Sequence, residues 1–285
     1  MRVRLYIMIG ALLFSTGGVA IKSATLTGWQ LSCFRSFAAA LAIMVFLPAA
    51  RRGWTWRAMV VAIPYAATFT LFTLANKYTT AANAIYLQAT APLYVLLWGP
   101  LLLREQIRAR DIGFMVALLG GLALIFSSVR EATAIATDPR LGDMLGVAAG
   151  FTWSFTVVGL RWIAIRAVDH DDTPEAAIVA GCLVATLVAA PFAFPVENST
   201  PTNWLIIAYL GIFQIGLAYV FIARGVRELR AIEVSLLLLV EPVFSPIWTW
   251  MLLGEVPAGL AIAGGGLVLG ASVVHALQSP DTRPA

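Results

Sequence analysis

Residues 81–105 read AANAIYLQATAPLYVLLWGPLLLRE, and residues 231–255 read AIEVSLLLLVEPVFSPIWTWMLLGE. A shift of 150 residues superposes Ala81 on Ala231, Leu87 on Leu237, Pro92 on Pro242, Trp98 on Trp248 and Glu105 on Glu255. The same shift sets Leu102-Leu103 on Leu252-Leu253, Leu119 on Leu269 and Gly120 on Gly270. Proline and tryptophan are scarce residues, so shared hydrophobicity does not account for one offset held over this length. A weaker echo at a slightly different offset relates Phe14-Ser15, Val19 and Lys22 to Trp153-Ser154, Val158 and Arg161. The chain reads as two copies, residues 1–128 and 143–277.

Outward from this repeat, the whole chain is apolar. Of its 285 residues 60% are hydrophobic and 12% charged, with mean hydropathy +0.86. A soluble domain carries about 25% charged residues, so much of this surface must face lipid. Runs long enough to span a bilayer lie at 5–21, 30–48, 58–75, 82–103, 111–128, 143–160, 176–194, 204–222, 232–253 and 258–277. They are apolar on all sides, whereas spanning strands would alternate. Backbone groups in hydrocarbon must pair within their own segment, which helices achieve. The reading is an all-α integral membrane protein of about ten spans. The longest connector, between Ser128 and Asp143, is too short to fold alone. Arg2 and Arg4 ahead of an apolar run resemble a signal peptide, but the echo of this segment in 153–161 predicts that it is retained.

The net charge of +4 belongs to topology rather than to nucleic-acid binding, because the basic residues sit in short groups between spans. With the N-terminus placed in the cytoplasm, 14 Lys and Arg fall on the inner side and 4 on the outer. Both termini are then cytoplasmic. Each copy holds five spans, an odd number, so the second enters the membrane from the opposite side. Inverted-topology repeats of this kind build many secondary transporters; a duplicated scaffold without transport is the plainer alternative.

The Pro-bearing span followed by Leu-Leu-Arg-Glu at 102–105 and Leu-Leu-Gly-Glu at 252–255 resembles the EamA-type family of the drug/metabolite transporter superfamily. Glu241-Pro242, Phe14-Ser15 and Trp153-Ser154 fit the same pattern, and the resemblance covers essentially the whole chain. It implies ten helices as two inverted five-helix repeats in a bacterial inner membrane. It also implies a cavity between the halves lined mainly by spans one, three, four, six, eight and nine. Members of the family include exporters of amino acids and other metabolites. Ala91 stands where the second copy has Glu241, so any role of that acid is asymmetric.

Several residues are candidates for the cavity. Glu241 lies mid-span, where an acid usually faces a wet interior; it can hold a substrate ammonium, carry a coupled proton, or serve packing alone. Asn83, Tyr86, Thr90 and Tyr94 recur at helical spacing on one face of span four, which suits either a cavity or interhelical hydrogen bonding. Gln88 lies off that stripe, near the face matching Glu241. Gln214, Ser15, Trp153 and Ser154 complete the set. Pro92 and Pro242 each remove a backbone hydrogen bond and read as hinges or static kinks. Arg35 is expected to snorkel to the headgroups, Asn76, Lys77 and Tyr78 to anchor an interface or form an entrance, and Glu105 and Glu255 to cap helices or join ion pairs.

The function expected is export of small metabolites, amino acids first, by alternating access, with efflux of drugs or other organic solutes as the alternative. An integral membrane enzyme or a non-transporting receptor is the alternative of another class. The sequence has no GxxxxGK[ST], HExxH or GxSxG pattern, and His170 among Asp169, Asp171 and Asp172 reads as a solvated loop. No catalytic residue, cofactor, metal or nucleic acid is expected, and Cys33 and Cys182 sit within apolar runs. The expected partners are a small-molecule substrate, membrane lipid and a coupled proton, in a monomer or homodimer.

Overall fold

The computed structural model describes residues 2–103, 109–128, 137–166, 173–197, 199–254 and 259–278. Among these, the regular elements are helices. The first half runs α1 (Arg2–Ser15), α2 (Gly17–Ser23), α3 (Gly28–Phe46), α4 (Trp56–Tyr78), α5 (Ala81–Gln88), α6 (Ala91–Leu103) and α7 (Ala109–Ser128), with a 3₁₀ turn at Pro48–Arg51. The second runs α8 (Pro139–Arg166), α9 (Pro174–Ala193), α10 (Pro201–Tyr209), a π-helical segment (Leu210–Leu217), α11 (Ala218–Glu228), α12 (Ala231–Leu237), α13 (Val240–Leu253) and α14 (Gly259–Gln278).

Local chemistry sets these boundaries. Thr27 caps α3 in a reciprocal box with Gln30, and Thr55, Thr80, Thr173 and Thr200 accept a backbone N–H at the starts of α4, α5, α9 and α10. Each hydroxyl satisfies a donor that the first turn leaves open. Pro174 and Pro201 follow two of these caps, where the missing N–H costs nothing. Gly254 ends α13 at φ +74, a conformation in which a side chain is strained.

Seven helical segments among the described residues are long and apolar enough to cross a membrane: Arg2–Ser23, Gly28–Phe46, Trp56–Tyr78, Pro139–Arg166, Pro174–Ala193, Pro201–Glu228 and Ala231–Leu253. Large apolar side chains such as Ile63, Met144, Leu187 and Leu205 point outward from them. That outer surface belongs in lipid, and the chain is a multi-pass membrane protein. The stretch 81–103 is divided between α5 and α6, and parts of α7 and α14 have side chains outside the described set.

Inside, α4 packs between α8 and α9, and α3 lies against α9 and the π segment. Helix α1 meets α11 and α13, α8 meets α5 and α6, and α7 meets α14. The first span is thus built into the bundle. One core joins Ile7, Phe14, Tyr65, Phe69, Trp153, Ile178 and Tyr219.

Arg35 departs from expectation. It does not snorkel: it is 0% exposed, and Nη2 donates to the Phe69 carbonyl of α4 at 2.8 Å. The face of α3 that carries it is turned into the bundle, so the long side chain has no path to the headgroups. Glu105, Glu255, His170 and its acidic neighbours lie outside the described residues.

Candidate functional site

Two helix breaks create the site. Pro92 and Pro242 offer no N–H to the carbonyls four residues earlier, those of Gln88 and Leu238. At both places the chain tightens into i→i−3 bonds. Thr90 N donates to Leu87 O at 3.3 Å and Leu93 N to Thr90 O at 3.0 Å; Leu239 N donates to Leu236 O at 3.1 Å and Glu241 N to Leu238 O at 3.0 Å. The first break rests on α8 at Gly150, where an added Cβ would lie 2.8 Å from the Leu87 carbonyl oxygen and 3.0 Å from that of Gln88. Only glycine admits so close a backbone.

The breaks stand side by side, α5 against α13 and α6 against α12. Between them is a cavity of about 20 Å³ lined by Gln88, Pro92, Trp153, Ser235, Glu241 and Pro242 with apolar neighbours. It has room for about one water. Gln88 Oε1 and Ser235 Oγ are buried here without hydrogen-bond partners, and Glu241 is 8% exposed. Unpaired buried polar atoms are expensive, and two of them meet Glu241 in one small space.

The other expected residues are placed around this centre rather than in it. Asn83 Nδ2 donates to Asp143 at 3.1 Å, and Thr79 Oγ1 to the same oxygen at 2.9 Å. Tyr86 is buried among Ile21, Leu26 and Phe72. Thr90 Oγ1 donates to Leu87 O at 2.7 Å within the break, and Tyr94 meets the Phe151 edge at 5.4 Å. The break turns the stripe of span four, so its four members face different neighbours. Trp153 sits edge-on to Phe14 and Phe69, both at 6.3 Å. Gln214, on the π segment, donates to Phe14 O at 3.4 Å while its Oε1 is buried without a partner.

Ser15 and Ser154 differ. Trp248 Nε1 on α13 donates to Ser15 Oγ at 2.8 Å. The matching Trp98 Nε1 on α6 is buried without a partner, although Ser154 Oγ donates to Phe151 O at 2.6 Å just as Ser15 Oγ does to Leu12 O. Trp98 stacks on Phe155 at 5.2 Å.

Ser235 was not among the residues singled out from the sequence. It lies six positions before Glu241, a spacing that puts the two on different faces of an unbroken helix; the break brings them together.

Charge closes one end of the bundle. Arg4 pairs with Glu233 at 2.8 Å, Arg227 holds both oxygens of Glu175 at 2.8 Å, and Arg230 reaches Asp111 at 3.4 Å. Arg161 donates to the carbonyls of Val226 and Arg227 at 3.0 and 2.8 Å. The other end is held by the Asp143 cluster and by Lys77 Nζ, which donates to Ala24 O at 2.6 Å.

The sequence profile of the EamA-like transporter family matches residues 1–127 and 140–276. The chain belongs to this family. Among its relatives, an uncharacterized transporter of Archaeoglobus fulgidus is 28% identical over 67% of this chain and 65% of its own length. A pseudopaline exporter of Pseudomonas aeruginosa is 25% identical over 93% of both chains. The match thus spans a little under two thirds of the archaeal relative and nearly all of the Pseudomonas one. A solved crystal structure shares the fold at TM-score 0.78 with 20% identity, covering 98% of this chain and 99% of its own. The family is one of transporters, and the relatives' names are those of transporters.

Proposed function

We propose that the protein is a secondary carrier that exports small metabolites, amino acids first, by alternating access between two inverted five-span copies in a bacterial inner membrane. The observation that carries this reading is Glu241, an acid lining a small polar cavity where two broken helices meet.

The inverted pairing has internal support. Exchanging each span with its counterpart turns the α1–α13 contact into α8–α6 and the α4–α8 contact into α11–α1, and maps α3–α9 and α7–α14 onto themselves. The polar ties follow the same exchange. Arg4–Glu233 at one end corresponds to Asp143–Asn83 at the other: 150 residues separate Asn83 from Glu233, and Arg4 and Asp143 are offset as Ser15 and Ser154 are. Alternation needs two arrangements of one element. The Trp–Ser pair supplies them, bonded as Trp248–Ser15 and unbonded as Trp98–Ser154. One half rocks against the other, and the cavity opens toward whichever pair has released.

Reconstituted vesicles test this. We expect protein-dependent amino-acid flux that responds to a proton gradient. Glu241→Gln should remove the flux or its response to the gradient while leaving the folded protein monodisperse. Full coupled flux in that variant would take Glu241 out of the site, and product formation without flux would replace the carrier with an enzyme.

A second reading, efflux of amphipathic organic solutes, has its own observation. An apolar groove of about 560 Å³ runs between α4 and α8, lined by Val60, Ile63, Pro64, Phe155 and Trp162. Flux of hydrophobic cations exceeding that of amino acids would favour it.

A further inference from the structure

One fully buried arginine is left unused by the carrier reading. Arg35 is wholly buried, and its Nε and Nη1 have no partner. Its electrostatic neighbours are Tyr65, Cys182 and Tyr219, none of them an acid. A guanidinium stays charged and presents a planar fork of donors that matches a carboxylate two-point. Arginine at membrane depth is rare and ordinarily marks a substrate or ion path. A mere tie between α3 and α4 would need only the single bond to Phe69 O.

Its position gives it a counterpart. The guanidinium lies over the Phe69 ring, 5.4 Å from the centroid. The same ring meets Trp153, and Trp153 lines the Glu241 cavity. Tyr219, 6.0 Å from Phe69, interacts electrostatically with both Arg35 and Glu241. An unneutralised cation and an acid therefore stand on the two sides of one aromatic wall.

We propose that Arg35 and Glu241 are the two poles of one substrate site, Arg35 receiving the carboxylate and Glu241 the ammonium of a zwitterionic, amino-acid-like substrate. The Phe14, Phe69 and Trp153 rings part to admit its carbon skeleton. This rests on the carrier reading and narrows it: a ligand lacking either charge leaves one pole buried and unpaired, which rejects it strongly.

The test compares protein-dependent flux, above that of empty vesicles, for phenylalanine, phenylalaninamide and 3-phenylpropionate, and for leucine, leucinamide and 4-methylpentanoate. In at least one series the amino acid should move at least tenfold faster than its amide and its deaminated acid. Arg35→Gln should lower amino-acid flux at least tenfold and bring the ratio of amino acid to amide close to one. Arg35→Lys, which keeps the charge without the fork, should fall between. Thermal unfolding in detergent verifies that each variant is folded, and where the glutamine variant is not, the lysine variant carries the test. Equal flux of amide and amino acid in the native protein overturns the proposal, as does an unchanged ratio in a folded Arg35 variant. If neither series moves while tetraphenylphosphonium does, the zwitterion site falls and the carrier reading stands. No flux of any of these probes would overturn both.

Discussion

Glu241, Gln88 and Gln214 are polar side chains among apolar neighbours, and what they cost separates stability from function. Gln214 buries its Oε1 without a partner and makes one long bond through Nε2. An orphaned buried acceptor costs about 1–3 kcal/mol. Gln214→Leu, close in volume, should therefore leave the thermal midpoint unchanged or higher while lowering flux at least tenfold. A large loss of stability would show the amide to be a packing device. Residues of this kind were legible in the sequence because polarity within an apolar run is conspicuous. Ser235 and the buried setting of Arg35 were not. A lone serine in a span carries no signal until the break aligns it with Glu241, and an arginine near a helix end reads as snorkelling until the helix's rotation is known.

Among elements, the spans were legible and their interruptions only in part. Apolar runs located α3, α4, α8 and α9 because lipid imposes both length and helicity. Proline alone did not say where helices break. Pro64, Pro100, Pro191 and Pro246 lie inside helices that continue through them, and Thr68 Oγ1 donates to the Pro64 carbonyl at 2.7 Å. Pro92 and Pro242 break theirs where the two spans meet each other and Trp153. The π segment under Gln214 had no sequence cue; wide turns of this kind occur at functional sites. In the proposed mechanism the Trp248–Ser15 bond is the element-level switch. Trp248→Phe keeps the ring and removes the donor, and should cost about 1 kcal/mol. A cysteine placed at Gln88 should then react faster with an impermeant maleimide added on the face where α13 ends. Labelling unchanged from that face would deny the bond a gating role.

For the whole molecule, the two ends are closed by different physics, and this bears on how the chain sits in the membrane. The end holding the starts of α1, α9 and α12 has the pairs Arg4–Glu233, Arg227–Glu175 and Arg230–Asp111, whose carboxylates are nearly buried. The opposite end has the neutral donors Thr79 and Asn83 on Asp143. Basic residues gather on the cytoplasmic side of membrane proteins, and the arginine-rich end is the one from which α1 departs. Under the proposed carrier reading, two five-span copies of opposite sense return the chain to the side where it began. Reporters fused to residue 1 and residue 285 should therefore both prove cytoplasmic, as read by impermeant protease in right-side-out and inverted vesicles. Protection of the two reporters in opposite preparations would mean an odd number of crossings. The two copies would then differ in their number of spans, and the exchange between Trp248–Ser15 and Trp98–Ser154 that exposes one cavity to each side in turn would lose its basis.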